Sequence, residues 1–174
     1  MTTGGAAPVL SAEMVAMVQS GVSTIVSSCD AALRPSIMRA MASTITADGR
    51  QVTVYLARKQ SRQLLQDIAA SGRLAVVFSQ PSSNRTLQLK TRQVHSRKTT
   101  ADDHAIVKRY LAAMEWELTQ VHIPPVLTRV MLAHDLDDLV AVEFAFQEAF
   151  DQTPGPNAGA PIVTVGSVGA GGAT

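Results

Sequence analysis

Two alternating runs joined by a four-residue turn constrain this chain more than any other feature. The run "SIMRAMASTIT" (36–46) and the run "QVTVYLA" (51–57) flank "ADGR" (47–50). Asp-Gly between alternating segments is the strongest short-range hairpin signal a sequence carries. A hairpin fixes its two strands as antiparallel neighbours. Everything else in the chain must therefore be built around an antiparallel sheet.

Other segments repeat the strand pattern: "VSTIVSSCD" (22–30), "RLAVVFSQ" (73–80), the long "RTLQLKTRQVHSR" (85–97) and "DLVAVEFAFQEAF" (138–150). In the long strand Leu87, Leu89 and Thr91 alternate with Gln88, Lys90 and Arg92. Four helices separate or flank the strands. Ser11 caps the first, which runs to about Ser20 and is ended by Gly21. Ser61 caps a helix that turns Leu64, Leu65, Ile68 and Ala69 inward and closes at Gly72. Asp102 or Asp103 caps a third, with Ile106, Tyr110, Met114 and Leu118 on one stripe. After the break at Pro124 and Pro125, a short fourth spans 126–133.

The predicted class is mainly β within α+β: a six-stranded antiparallel barrel, closed or split, with flanking helices. The helix at 61–71 plugs one end. One domain covers residues 1–151, with a helical insertion at about 102–133. Residues 152–174 form a Gly/Ala/Pro-rich tail, uncharged after Gln152, that reads as extended or disordered.

Charge is distributed unevenly. From Arg34 to Lys98 there are twelve Lys and Arg against two acids, and from Asp102 to Asp151 ten acids against three bases. A basic half suits an anionic ligand, or pairing with the acidic half within the chain or across a dimer. The single cysteine, Cys29, permits no internal disulfide, so a cytoplasmic home is expected. The N-terminal residues lack a signal-peptide pattern, and no apolar run is long enough for a membrane helix.

"LARKQSRQLLQDIAASGR" (56–73) sets Arg58, Lys59 and Arg62 around a helix start. A helix N-terminus already carries about half a positive charge, so cations there cost on the order of 0.3–1 kcal/mol. One bound phosphate removes that penalty and occupies the free N–H donors. The alternative is a solvated helix start with its cations reaching into water.

"RPSIMRAMASTITADGRQVTVYLARKQSRQLLQDIAASGRLAVVFSQPSSNRTLQLKT" resembles the FMN-binding split barrels related to pyridoxamine 5′-phosphate oxidase. The likeness covers about residues 10–100 and returns in "VAVEFAFQEAFDQTPGPNAGAPI". It implies a split barrel that binds FMN at a homodimer interface. In the family a Ser-Arg-Lys triplet at the helix start holds the FMN phosphate. Here the positions read Ser61, Arg62 and Gln63, with Lys59 as the replacement charge and Arg58 beside it. The resemblance places the flavin along Arg39, Ala40 and Met41 and beside Leu56 and Ala57, with Thr86 and Gln88 reaching it from the partner. The Trp- and Arg-containing end that holds pyridoxamine phosphate is absent, which argues against that substrate. The 102–133 helices resemble an insertion in other relatives and are expected to shape the substrate pocket.

The implied function is an FMN-dependent oxidoreductase acting on a small molecule. An F420-dependent reductase and a non-catalytic flavin- or haem-binding barrel stay open beside it. A basic nucleic-acid-binding barrel is opposed by a basic strand with no aromatic residue to stack bases. His95, His104, His122 and His134 have no metal-ligand spacing, so no metal is expected. Cys29 and Trp116 read as buried packing residues, and Asp135, Asp137 and Asp138 as a solvated loop.

Overall fold

The hairpin is present: β3 (Ala42–Ile45) and β4 (Gln51–Ala57) pair antiparallel from Ala42 opposite Tyr55 to Ile45 opposite Val52. The computed structural model describes residues 8–162. The N-terminal residues and the tail beyond Ile162, about which the sequence raised expectations, lie outside them. The remaining elements are α1 (Ala12–Gln19), β1 (Ser23–Cys29), β2 (Pro35–Arg39), α2 (Arg62–Ser71), β5 (Leu74–Ser79), β6 (Thr86–Thr91), β7 (His95–Lys98), α3 (Ala101–Thr119), α4 (Pro125–Met131), a 3-10 turn (Leu136–Asp138), β8 (Leu139–Ala145) and β9 (Glu148–Asp151).

Where the sequence suggested six strands, the described residues form nine, in two antiparallel sheets ordered β2-β1-β5-β6-β9 and β3-β4-β8-β7. The reason is local. Three of the expected strands turn a corner and serve both sheets. At the first corner the Ala40 N–H bonds Thr24 O and the next N–H, of Met41, bonds Tyr55 O. The chain changes sheets between consecutive residues. The second corner lies between Thr91, opposite Leu74, and His95, opposite Glu143. The third lies between Ala145, opposite Gln51, and Glu148, opposite Lys90. Such corners are how a sheet folds across itself. The alternation of side chains continues through them, which is why periodicity does not reveal them.

One core fills the space between the sheets, with Val26, Val52, Val54, Leu56, Leu64, Val76, Phe78, Leu89, Val142 and Phe144 in it. A second lies between α3 and the outer face of the four-stranded sheet, joining Met41, Tyr55, Ala57, Ala141 and Leu139 to Val107, Tyr110, Met114 and Leu118. That sheet is therefore buried on both faces, and β4 is buried from Val52 to Ala57 without alternation.

Several local readings need correction. Thr100, not Asp102 or Asp103, caps α3: its Oγ1 accepts from Asp103 N–H, and Asp103 Oδ2 accepts the Thr100 N–H at 2.7 Å, a reciprocal capping box. On α2 the inward positions include Asp67 rather than Ala69. Trp116 is 63% exposed, on the side of α3 away from the sheet. α4 ends at Met131 and is inverted: Val126, Leu127 and Val130 face solvent while Thr128 is buried. Residues 152–162 are not loose. Ala160 O accepts the Asp151 N–H, Phe150 bridges Pro161, and Ile162 packs on the first core. No helix among the described residues is long and apolar enough to cross a membrane.

Candidate functional site

The start of α2 carries the densest set of expected ligand-binding residues. β4 ends at Ala57, whose carbonyl accepts the Ser61 N–H at 2.9 Å. The loop between them is tied to the 3-10 turn: Asp138 O accepts the Arg58 N–H at 2.8 Å and Asp138 Oδ2 the Lys59 N–H at 3.2 Å. Asp138 therefore anchors this loop rather than standing free.

Ser61 occupies the N-cap position but does not cap. Its backbone lies at φ −104, ψ 20, away from the extended conformation that lets a cap oxygen meet the N–H groups of the first turn. The side chain is buried, and its Oγ has no hydrogen-bond partner. An unpaired buried hydroxyl costs about 1–3 kcal/mol. Around it Arg58, Lys59, Arg62 and Gln63 are exposed, and among the described residues none of the three cations is in an ion pair. Gln63 Nε2 donates to Asp67 Oδ1 at 2.9 Å, which engages the nearest acid on the helix. The first-turn N–H groups lack intrahelical acceptors. The arrangement offers a hydroxyl, backbone donors and three cations to one anion.

The other expected residues do not join this group within one protomer. Ala40 and Leu56 are in the first core, and Met41 and Ala57 lie under α3 in the second. Thr86 Oγ1 is paired with Ser79 Oγ at 2.9 Å, and Gln88 Oε1 accepts from Gln152 Nε2 at 3.2 Å. Both lie on the outer face of the five-stranded sheet. Ile25, Val77, Gln88 and Phe150 form one cross-strand row there, with Arg39 beside Ile25. Ile25, Val77 and Phe150 belong to neither core, and neighbouring Ile37 is 65% exposed.

Arg39 enters a cleft of about 450 Å³ between the end of this sheet, the turn at Pro81 and the α3–α4 pair. Its Nη1 donates to Ser23 Oγ at 2.7 Å. Met114, Leu118, Ile123, Leu127 and Met131 make the walls apolar, and Thr128 lines the cleft with a fully buried Oγ1 that has no partner. Nearby Glu117 is fully buried. Its Oε1 accepts the Ser82 N–H at 2.9 Å, and it is not among the lining residues.

Cys29 is half-buried rather than core. It lines a separate basic concavity with Arg73, Lys90 and Arg92 opposite Glu148, and Arg73 Nη1 lies 4.0 Å from its Sγ. Among the described residues no three His, Cys, Asp or Glu side chains converge as metal ligands.

The sequence reading missed the polar lock that holds α3 on its sheet. Asp103 accepts from Tyr55 Oη at 2.7 Å and from both terminal nitrogens of Arg97 at 2.6 and 3.0 Å, while Arg97 Nε donates to Glu143 at 2.7 Å. The Arg97 guanidinium holds the Asp103 carboxyl well below the usual carboxylate range. Burial, with Asp103 beside it, pushes the Tyr55 phenol far up. The Thr-x-x-Asp spacing from Thr100 was the available signal.

No protein-family model matches the sequence, and no curated protein does. Solved structures do. HupZ from Group A Streptococcus is 14% identical with a TM-score of 0.52, covering 86% of this chain and 99% of that one. A protein described as a pyridoxamine 5′-phosphate oxidase, from Lactobacillus delbrueckii, is 12% identical with a TM-score of 0.50, covering 82% and 93%. An F420 reductase is 15% identical with a TM-score of 0.51, covering 77% and 93%. At these identities the likeness is one of fold: the split barrel of the pyridoxamine 5′-phosphate oxidase-like proteins.

Proposed function

We propose that this chain binds FMN and works as an FMN-dependent oxidoreductase on a small-molecule substrate. The observation that carries the reading is the unpartnered, buried Ser61 hydroxyl at a helix start ringed by unpaired cations. A phosphate fits this group. Ser61 Oγ–H and the first-turn N–H groups donate to its oxygens, Arg62 forks onto two of them, and Lys59 and Arg58 offset its charge. When bound, the flavin supplies hydride acceptance, and the protein supplies position and electrostatics. Ala40, Met41, Leu56 and Ala57 are buried within the protomer, so in this reading the walls for the ring are assigned to the interface with a partner subunit.

The partner in this reading is a second copy, docked on the outer face of the five-stranded sheet, where Thr86 and Gln88 lie. Ile37→Asp is expected to turn a dimer into a monomer and to release flavin with it. Sedimentation velocity measures the first effect, and an unchanged dimer would remove this face from the interface.

The cofactor test uses two variants. Ser61→Ala deletes an orphan hydroxyl, so the unfolding free energy should hold or rise by about 1 kcal/mol. FMN affinity should nevertheless fall about tenfold, or about 1.4 kcal/mol. Arg62→Glu should weaken FMN at least a hundredfold with little loss of fold. Flavin fluorescence titration, run beside urea denaturation, reads both. Wild-type affinity in either variant would place the phosphate elsewhere. A deazaflavin is the second reading, because three unpaired cations exceed the need of one phosphate monoester and the fold is shared with an F420 reductase. Titrating F420 in parallel decides between them.

A further inference from the structure

We infer that the cleft beneath the α3–α4 pair is a binding site for an apolar molecule of one or two rings carrying a single anionic group. Three observations support this. The cleft, at about 450 Å³, has the size of a small-ligand pocket and walls of Met114, Leu118, Ile123, Leu127 and Met131. Two of those walls are methionines, whose flexible, polarisable thioethers suit a flat ring. Among the described residues, Arg39 is the only charged one lining it. It is half-buried, fixed by Ser23 Oγ at 2.7 Å, and in no ion pair among the described residues. A guanidinium held still beside an apolar surface is matched by a carboxylate or similar anion, which it can bind through two parallel hydrogen bonds. Thr128 is the third. Its hydroxyl is fully buried, unpartnered, and belongs to a residue lining the same cleft. It is the one fully buried residue of α4, whose Val126 and Val130 face solvent. A polar atom of a ligand would satisfy it.

None of residues 58–63 lines this cleft. The assignment therefore moves Arg39 from the flavin, where the resemblance had put it, to the anion of a second ligand. Naming that ligand the substrate rests on the flavin reading. The binding site itself does not.

The probes are 2-naphthoate and its neutral analogue 2-naphthylmethanol, titrated calorimetrically into the full chain with and without saturating FMN. Wild type should bind 2-naphthoate at least tenfold more tightly than the alcohol. Arg39→Gln should abolish that preference while leaving affinity for the alcohol unchanged, and Arg39→Lys should restore part of it. Met131→Trp, which fills the cleft from its exposed edge, should weaken both probes at least tenfold with an unaltered circular dichroism spectrum. Equal affinities in wild type, or a preference that survives Arg39→Gln, would overturn the assignment. So would displacement of bound FMN by 2-naphthoate, which would give the cleft to the cofactor. FMN binding without any naphthoate preference would overturn this inference and leave the flavin reading intact. A naphthoate preference in a protein that never takes up FMN would do the reverse.

Discussion

Asp103→Ala is expected to lower the unfolding free energy by about 3–5 kcal/mol, the range for breaking one side of a buried ion pair. The loss comes from several groups at once. Arg97 keeps Glu143 as its one acid, Tyr55 Oη loses its acceptor, and the Thr100 N–H loses its capping partner. Tyr55 sits at the centre of β4, beneath α3, so its unpaired hydroxyl is left in the second core. The Arg97 side chain keeps some contact with water, at 31% exposure, which favours the lower end of the range. The effect has a pH signature. The folded carboxyl titrates below its ordinary value near 3.8. Its stabilisation is therefore complete well above that value and lost as the pH falls through it towards the folded pKa. Denaturant curves of wild type and variant should be furthest apart at neutral pH and begin to draw together only as the pH falls below about 3.8. A gap that does not change with pH would mean that the carboxylate charge contributes nothing.

Gly21→Ala should cost at least about 2 kcal/mol, with a fall in Tm of several degrees for a chain of this size. Gly21 has φ +88, where an L side chain is strained. A Cβ added there would lie 2.5 Å from the carbonyl carbon and oxygen of Ala113 and 2.7 Å from Met114 N. Those are backbone atoms in the middle of α3, so the helix itself must shift. The sequence marks Gly21 only as a helix stop, whereas in the fold it is also the point where the α1–β1 turn and α3 cross. Met114 lines the Arg39 cleft, so the same substitution should weaken 2-naphthoate binding. Thermal unfolding and the titration measure the two effects. A variant as stable as wild type would show that α3 can retreat without loss.

Much of the fold was legible because its signals are local. Asp48-Gly49 set the hairpin, Ser11 capped α1 and Gly72 closed α2. The corners were not legible, since a strand that changes sheets between Ala40 and Met41 keeps its period of two. The same limit explains Trp116. A helical stripe says which residues share a face, but only the packing of α3 on the four-stranded sheet says which face is inside. The cluster at Arg58, Lys59, Ser61, Arg62 and Gln63 was visible as charge at a helix start. That the Ser61 hydroxyl is orphaned could not be read, because Ser61 has the residue type and position of an ordinary cap and only its backbone angles prevent capping. Arg39 was singled out by the family resemblance, but its cleft depends on α4, about ninety residues later in the chain.

The order of β4 and β8 in the chain has a consequence during synthesis. β4 pairs with β3 through a tight turn, but its other edge pairs only with β8, from Ala57 opposite Leu139 to Gln51 opposite Ala145. All of α2, β5, β6, β7, α3 and α4 must leave the ribosome first. At typical elongation rates that interval is on the order of ten seconds. For that time the most buried strand of the molecule has one row of amide and carbonyl groups uncovered. A released chain that ends near residue 135 should therefore be bound by chaperones, and one that includes β8 and ends past residue 145 should not.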